Sequence, residues 1–325
     1  MSGLYHTCSL GAVLRGSRGP AWLPHQRARP QRPARRHITV APVVAGANPR
    51  GRAPVINDKY VRDAKKAGYV SRAAYKLQEI QQRFRVVRPG GRVLDLGCFP
   101  GSWMQVACEA LGPPKRKGLL VGIDLKATPK PPRVDSRARI LQGDAFEYGA
   151  VQLLAMSPSG FTTVLSDMCP DTSGNVALDV GGSLSVASRA LALATGPLPE
   201  EWAHNYGGLD PVSAGDGDMG DMFSEGVSFH PDDLALLTGS HIRPEDGVLV
   251  SGGNFVAKIL EGEGFPEFLG IVKQRFKKVK AIRPKATRSM SREVFVVAME
   301  RKGGAPARPP KKGGGDGGSE APQSA

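Results

Sequence analysis

The stretch VLDLGCFPGSW, Val93–Trp103, constrains the fold more than any other part of the chain. An aliphatic run that reads as a strand ends at Asp95, passes through a glycine-rich turn and opens a helix. Gly97 and Gly101 let the backbone come close to a ligand, and the helix start offers unpaired N–H groups. The spacing is neither of the two common nucleotide fingerprints. Gly97 and Gly101 stand four apart with Pro100 between them, and no Gly-Lys-Ser/Thr follows. Three later strand-like runs also lead into acids: Leu119–Ile123 before Asp124, Arg139–Leu141 before Asp144, and Thr162–Ser166 before Asp167. One such aspartate would ordinarily cap a turn. Several in this order fit an adenosine-containing ligand laid along the carboxyl edge of a sheet, with Asp124 on ribose hydroxyls and Asp144 on the adenine amino group.

Strand and helix alternate along the rest of the chain. Helical spacing marks 57–83 (apolar Ala73, Leu77 and Ile80), 102–111, 180–194, 232–241 and 267–276. Besides the strand before the glycine turn, 92–96, and the three runs that lead into acids, strands are expected at 254–258, 279–283 and 294–299. Such alternation predicts an α/β fold, a mostly parallel sheet with helices on both faces. No run of 18 apolar residues occurs, so no membrane span is expected. The four cysteines, Cys8, Cys98, Cys108 and Cys169, form no CxxC pair and no metal-ligand spacing, so no metal is expected.

Charge divides the chain into parts. Residues 1–57 hold nine arginines, no lysine and no acid, and little apolar periodicity. An organelle transit peptide has this composition, with mitochondrion favoured over chloroplast; a disordered basic arm that binds RNA is the other reading. Residues 301–325 are low in complexity and expected to be disordered. Between them lies one domain, 58–300. Within it, residues 195–231 carry seven acids and no base, and read as an acidic inserted loop. The aromatics there (Trp202, Tyr206, Phe223, Phe229) are too scattered to suggest a core, so this segment is expected to be a surface excursion of little weight in the fold. The rest of the domain is strongly basic, which points to a polyanionic partner, most often nucleic acid.

Six colinear motifs, SRAAYKLQEI, VLDLGCFPGSW, LQGD, SDMCPDTSG, FVAKILEGEG and SREVFVVA, resemble the FtsJ/RrmJ family of S-adenosylmethionine-dependent RNA ribose 2′-O-methyltransferases. The resemblance runs from about Tyr69 to Met299. It implies a Rossmann-like methyltransferase fold with one antiparallel strand near the C-terminus, and S-adenosylmethionine as cofactor. It also implies a ribosomal RNA or pre-ribosomal large-subunit partner, a uridine of the A-loop as target, and a monomer. The family's Lys-Asp-Lys-Glu catalytic set falls on Lys76, Asp167, Lys258 and Glu293. Its cofactor contacts fall on Asp95, Gly97, Pro100, Gly101, Trp103, Asp124, Asp144 and Asp167. Phe99, Ser102 and Asp171 depart from the family pattern; Phe99 is bulky for a tight loop that borders the cofactor.

A ribose hydroxyl becomes a nucleophile when its proton is taken, and a lysine takes it only when neutral. Lys258, at the end of an apolar run, is expected to be lowered by burial and by the nearby Lys76 cation. Asp167 would orient this pair, and Glu293 would position Lys76 or the ribose. Basic runs precede both Lys76 and Glu293. Arg72, Arg288 and Arg292 are the expected RNA contacts, with Tyr69 or Tyr75 as a stacking ring. Open alternatives are methylation of tRNA or another RNA, and a catalytically weak RNA-binding ribosome-assembly factor. A nicotinamide oxidoreductase fits less well, for want of GxGxxG.

Overall fold

The computed structural model describes residues 59–206 and 243–303. The N-terminal 57 residues, the helix expected at 232–241, much of the acidic segment and most of the tail lie outside the described residues. Helices α1 (Lys59–Lys66) and α2 (Ala74–Phe84) lead into β1 (Arg92–Leu96), α3 (Ser102–Ala110), β2 (Leu119–Asp124) and β3 (Ala138–Gln142). Then come α4 (Ala150–Met156), β4 (Phe161–Ser166), α5 (Val176–Thr195) and α6 (Glu200–Tyr206). The chain closes with β5 (Leu249–Leu260), α7 (Phe265–Arg275), β6 (Phe276–Ile282) and β7 (Glu293–Arg301).

The seven strands form one sheet in the order β3-β2-β1-β4-β5-β7-β6. β1 to β5 pair in parallel, and β7 runs antiparallel to both neighbours. This is the mostly parallel α/β sheet that the alternation predicted, with the antiparallel strand near the C-terminus that the family resemblance implied. Its inner strands are buried on both faces, which is why VLDL, TVLS and FVAKI read as continuous apolar runs rather than alternating ones. One core packs the sheet against α4, α5, α6 and α7; the other packs it against α1, α2 and α3. α5 is long and apolar enough to cross a membrane by composition, but it is the core helix of the first face, with Leu184, Ala187 and Leu191 fully buried.

Among the differences from the sequence reading, three bear on how the site is held. The helix expected over 57–83 is two helices. Gly68, at φ +74°, ends the first in the left-handed region, and buried Gln105 of α3 holds the break through bonds to Val70 N and Gly68 O. β5 begins five residues earlier than the expected 254, because a bulge at Val250–Gly253 interrupts its pairing with β4. The third difference corrects the reading of the acidic segment. Residues 200–206 are helical, and Leu198 and Trp202 belong to the core. Trp202 stacks on Tyr206 at 4.3 Å, lies 6.0 Å from Phe268, and donates its indole N–H to Ser188 Oγ at 2.9 Å. These aromatics recur at i and i+4, a helical face that short length and acidic flanks disguised.

Trp202→Ala is therefore expected to lower stability by about 3 kcal/mol, from lost burial and a lost hydrogen bond. A linker replacing 197–229 should be equally damaging, whereas one that begins after Tyr206 should spare this contribution. Urea unfolding midpoints of the three variants distinguish these outcomes.

Candidate active site

The register between β4 and β5 sets the centre. Ser166 pairs with Ala257, so the next residues along, Asp167 and Lys258, meet at the carboxyl edge. Lys258 Nζ donates to the Asp167 main-chain carbonyl at 2.6 Å and lies 3.1 Å from its Oδ1. On the other flank of β5, Leu260 pairs with Glu293, which brings the first residue of β7 to the same edge. Lys76 of α2 makes a 2.6 Å ion pair with Glu293 Oε1, and its ammonium sits 5.6 Å from the Phe295 ring centre. The four residues expected to be catalytic thus form two ion pairs, and Cys169 lies in the field of all four.

The titration of Lys258 differs from the sequence expectation. Burial pushes its pKa down, but Asp167, with Cys169 and Glu293, outweighs burial and holds the ammonium above its ordinary value of 10.5. Burial and a second cation lower a lysine, whereas pairing with a carboxylate raises it. Glu293 answers the charge of Lys76, and Lys258 has a carboxylate of its own.

The cofactor edge lies where the strand order reverses, between β1 and β4, the usual crevice for ligands in such sheets. Leu96 pairs with Ser166, and Asp167 N bonds Leu96 O at 3.1 Å, so the turn after β1 lies beside Asp167. Gly97 (φ +77°) and Gly101 (φ +101°) are required there. A Cβ on Gly97 would stand 2.8 Å from Met168, and one on Gly101 2.1 Å from Pro131. The Phe99–Pro100 peptide is cis. No side chain caps α3. Asp124 accepts from Phe99 N and Lys126 N, both at 2.9 Å, one on each oxygen. Asp144 accepts from Phe146 N at 2.9 Å. Both carboxylates therefore shape their turns and still keep lone pairs for a second donor.

Two expected cofactor residues have other surroundings. Asp95 is wholly covered and neither oxygen has a hydrogen-bond partner. Burial, then the charges of Asp167 and Asp124, push its carboxyl well above the ordinary range. The Trp103 ring is buried against Phe295, and its indole N–H goes to Ala73 O at 3.0 Å, so only its backbone remains at the helix start. The departures from the family pattern also acquire reasons. Phe99 turns its ring outward, 5.5 Å from the Lys126 ammonium, rather than crowding the turn. Ser102 shares a 2.7 Å hydrogen bond with Ser71, tying α3 to the segment before α2.

Arg189 of α5 is the residue that sequence reasoning missed. It is fully buried, and its guanidinium donates to Ala145 O at 3.2 Å, Phe146 O at 3.0 Å and Tyr148 O at 2.6 Å. It thereby fixes the loop that presents Asp144. The available signal was one arginine in the otherwise small and apolar run SVASRALALA.

Of the expected RNA contacts, Arg288 and Arg292 are exposed. Arg72 is half-buried. It lies against the Tyr60 ring and donates to the Ala286 carbonyl, so it anchors the β6–β7 loop. Burial, then Arg288, lowers its pKa. Tyr69 is buried too, its hydroxyl bonded to Glu109 at 2.8 Å; burial, with that acid, pushes it up to about 12, and its ring is not available to a base. Tyr75 packs between Tyr60 and Tyr69.

A parallel sheet that reverses at β1/β4, with acids at its strand ends and an uncapped helix behind the turn, defines a Rossmann-like nucleotide-binding enzyme. The donor set suits S-adenosylmethionine: carboxylates for its hydroxyl, amino and cationic groups, and helix-start amides for its carboxylate. The FtsJ-like methyltransferase profile matches residues 69–202 and 217–301, and the chain belongs to that family. Relatives similar to this chain carry the name ribosomal RNA large subunit methyltransferase E. That of Desulfatibacillum aliphaticivorans is 35% identical over 77% of this chain and 94% of the relative. That of Syntrophobacter fumaroxidans is 35% identical over 75% and 95%. That of Desulfosudis oleivorans is 36% identical over 75% and 91%. The chain is an S-adenosylmethionine-dependent methyltransferase.

Arg189→Met is expected to raise the Kd for S-adenosylmethionine about tenfold, ~1.4 kcal/mol, by freeing the Asp144 loop. Arg189→Lys should recover little, since an ammonium lacks the fork that reaches three carbonyls. Calorimetry on the cofactor-free protein measures this. An unchanged Kd with only a lower melting temperature would leave Arg189 a structural role alone.

Proposed function

We propose that this chain transfers the methyl group of S-adenosylmethionine to the ribose 2′-hydroxyl of a uridine in the A-loop of organellar large-subunit ribosomal RNA. The observation that carries the proposal is the pair of ion pairs Lys258–Asp167 and Lys76–Glu293 at the sheet's carboxyl edge. The names of the bacterial relatives support the ribosomal substrate, and the exposed Arg288 and Arg292 beside the site suit a phosphate backbone. The arginine-rich, acid-free residues 1–57 support import into an organelle, the mitochondrion first.

S-adenosylmethionine supplies an electrophilic methyl on a sulfonium. The chain supplies placement and a proton acceptor. Neutral Lys258 Nζ takes the 2′-hydroxyl proton as the oxygen gains the methyl, and the methyl's bond to sulfur breaks to leave a neutral thioether. Asp167 holds Lys258 by its main-chain carbonyl whether or not the amine is charged. Glu293 keeps Lys76 extended towards the same ribose.

Mapping ribose methylation in organellar ribosomal RNA with and without this gene tests the substrate. Loss at one A-loop uridine is expected; an unchanged pattern would overturn the reading. Lys258→Ala should abolish transfer and leave cofactor affinity nearly unaltered, and Lys258→Arg should not rescue it, because a guanidinium keeps its proton.

The raised pKa of Lys258 also sets a pH profile. The neutral amine is a minority form whose share grows about tenfold per pH unit, so single-turnover transfer should rise with a log slope of about 1 between roughly pH 7 and pH 9. A flat profile would remove the general-base role.

A further inference from the structure

The reactive groups are recessed: the side chains of Lys258, Lys76, Glu293 and Asp167 are 9%, 13%, 13% and 19% exposed. A ribose fixed in a helix brings its neighbours' backbone with it, so a recessed site is better reached by a nucleotide drawn out of its stack, as enzymes that act on a base draw theirs. Among the described residues, five of the seven large apolar side chains left in solvent follow the carboxyl ends of strands: Phe99 after β1, Leu125 after β2, Val176 and Leu178 after β4, and Met290 after β6. Lone exposed apolar residues need no explanation. Five at the edge that holds the reactive groups do.

Met290 is the extreme case, 93% exposed. Ser291 N bonds Arg288 O at 3.0 Å, closing a four-residue turn with Ser289 and Met290 at its apex. The base of the loop is pinned. Pro284 and Ala286 are buried, Lys285 N bonds Glu79 Oε2 at 2.8 Å, Thr287 N bonds Pro284 O at 2.9 Å, and Arg72 holds the Ala286 carbonyl. The tip is three residues from Glu293, a reach of at most about 11 Å. Exposed Arg288 and Arg292 flank it.

We propose that this turn is a wedge for RNA. Arg288 and Arg292 engage phosphates on either side, and the Met290 thioether enters between the target nucleotide and its stacked neighbour, freeing the ribose to reach Lys258. The inference rests on the proposed function, since it takes RNA as the substrate. Arginines alone would add affinity without opening a stack. Apolar wedges, methionine among them, are the side chains that part base steps, and a flexible thioether adapts to whichever base it meets.

The test uses a large-subunit ribosomal RNA hairpin spanning the A-loop, with 2-aminopurine next to the target uridine. Wild-type protein should raise its fluorescence on binding. Met290→Ala should bind within about threefold of wild type, leave the fluorescence quenched and methylate at least about tenfold more slowly. On the same hairpin with an abasic neighbour, which has no stack to open, the variant should regain the wild-type rate. Equal fluorescence in the variant, or equal slowing on both hairpins, would overturn the wedge while leaving the ribosomal substrate intact. Wild-type protein that neither binds nor methylates either hairpin would overturn the substrate and the wedge together. Since Met290 is almost wholly in solvent, the variant's melting temperature should match wild type.

Discussion

The contact between Lys258 and Asp167 is the constraint on which the site depends. A buried ammonium is tolerated only beside its anion; removing one partner of such a pair costs about 3–5 kcal/mol. The meeting of these two residues is a matter of register. β4 and β5 begin in step at Phe161 and Leu249, but after the bulge Thr163 faces Asn254. Without the bulge Thr163 would face Ser251 and Asp167 would face Phe255. That shift of three residues moves Lys258 about 10 Å along the strand and, being odd, turns it to the opposite face. The glycines at 252 and 253 are thus part of the active-site geometry, although they lie far from it along the strand.

α5 joins the two halves of the site. In its first half, Ser183 Oγ accepts from Leu260 N at 2.8 Å, at the end of the strand that carries Lys258. Midway along, Arg189 grips the loop that presents Asp144. Between these two points lies Ser188, held by Trp202 of α6. The first turns of the acidic segment therefore brace the helix that sets both the loop after Asp144 and the strand that carries Lys258. Acidity said nothing about this, because the charged residues Glu200 and Glu201 face solvent while Trp202 faces the core.

Much of the architecture was legible because its signals are local. Aliphatic runs that end in acid mark strands and their carboxyl edge, and the glycine turn fixes which strand starts the sheet. The identities of Lys76, Asp167, Lys258 and Glu293 came with the family motifs, and the structure gathers them. What was not legible depends on contacts distant in sequence. The break at Gly68 is held by Gln105, thirty-seven residues on. Trp103 looks like a ligand contact in its motif, yet its indole serves Ala73. Arg72 sits in a basic run that suggests RNA, and instead bonds a loop 214 residues away. The sign of the Lys258 shift needed the geometry of its partner, since burial and pairing act in opposite directions and composition weighs neither.

That sign exposes a tension within the site. Because the folded protein holds the pKa of Lys258 above its ordinary value of 10.5, the pair contributes stability that is fully present below the unfolded pKa. This contribution is lost as pH rises through the higher folded one. The fold is therefore most stable with Lys258 protonated, the form that cannot accept the hydroxyl proton. Under the proposed mechanism transfer draws on the minority form, and the Asp167 carboxylate both secures the lysine and opposes its deprotonation. The bond from Nζ to the Asp167 main-chain carbonyl, 2.6 Å, makes the arrangement workable. It needs only an N–H, so the neutral amine stays in place when the ionic attraction is gone, and its lone pair is left for the substrate.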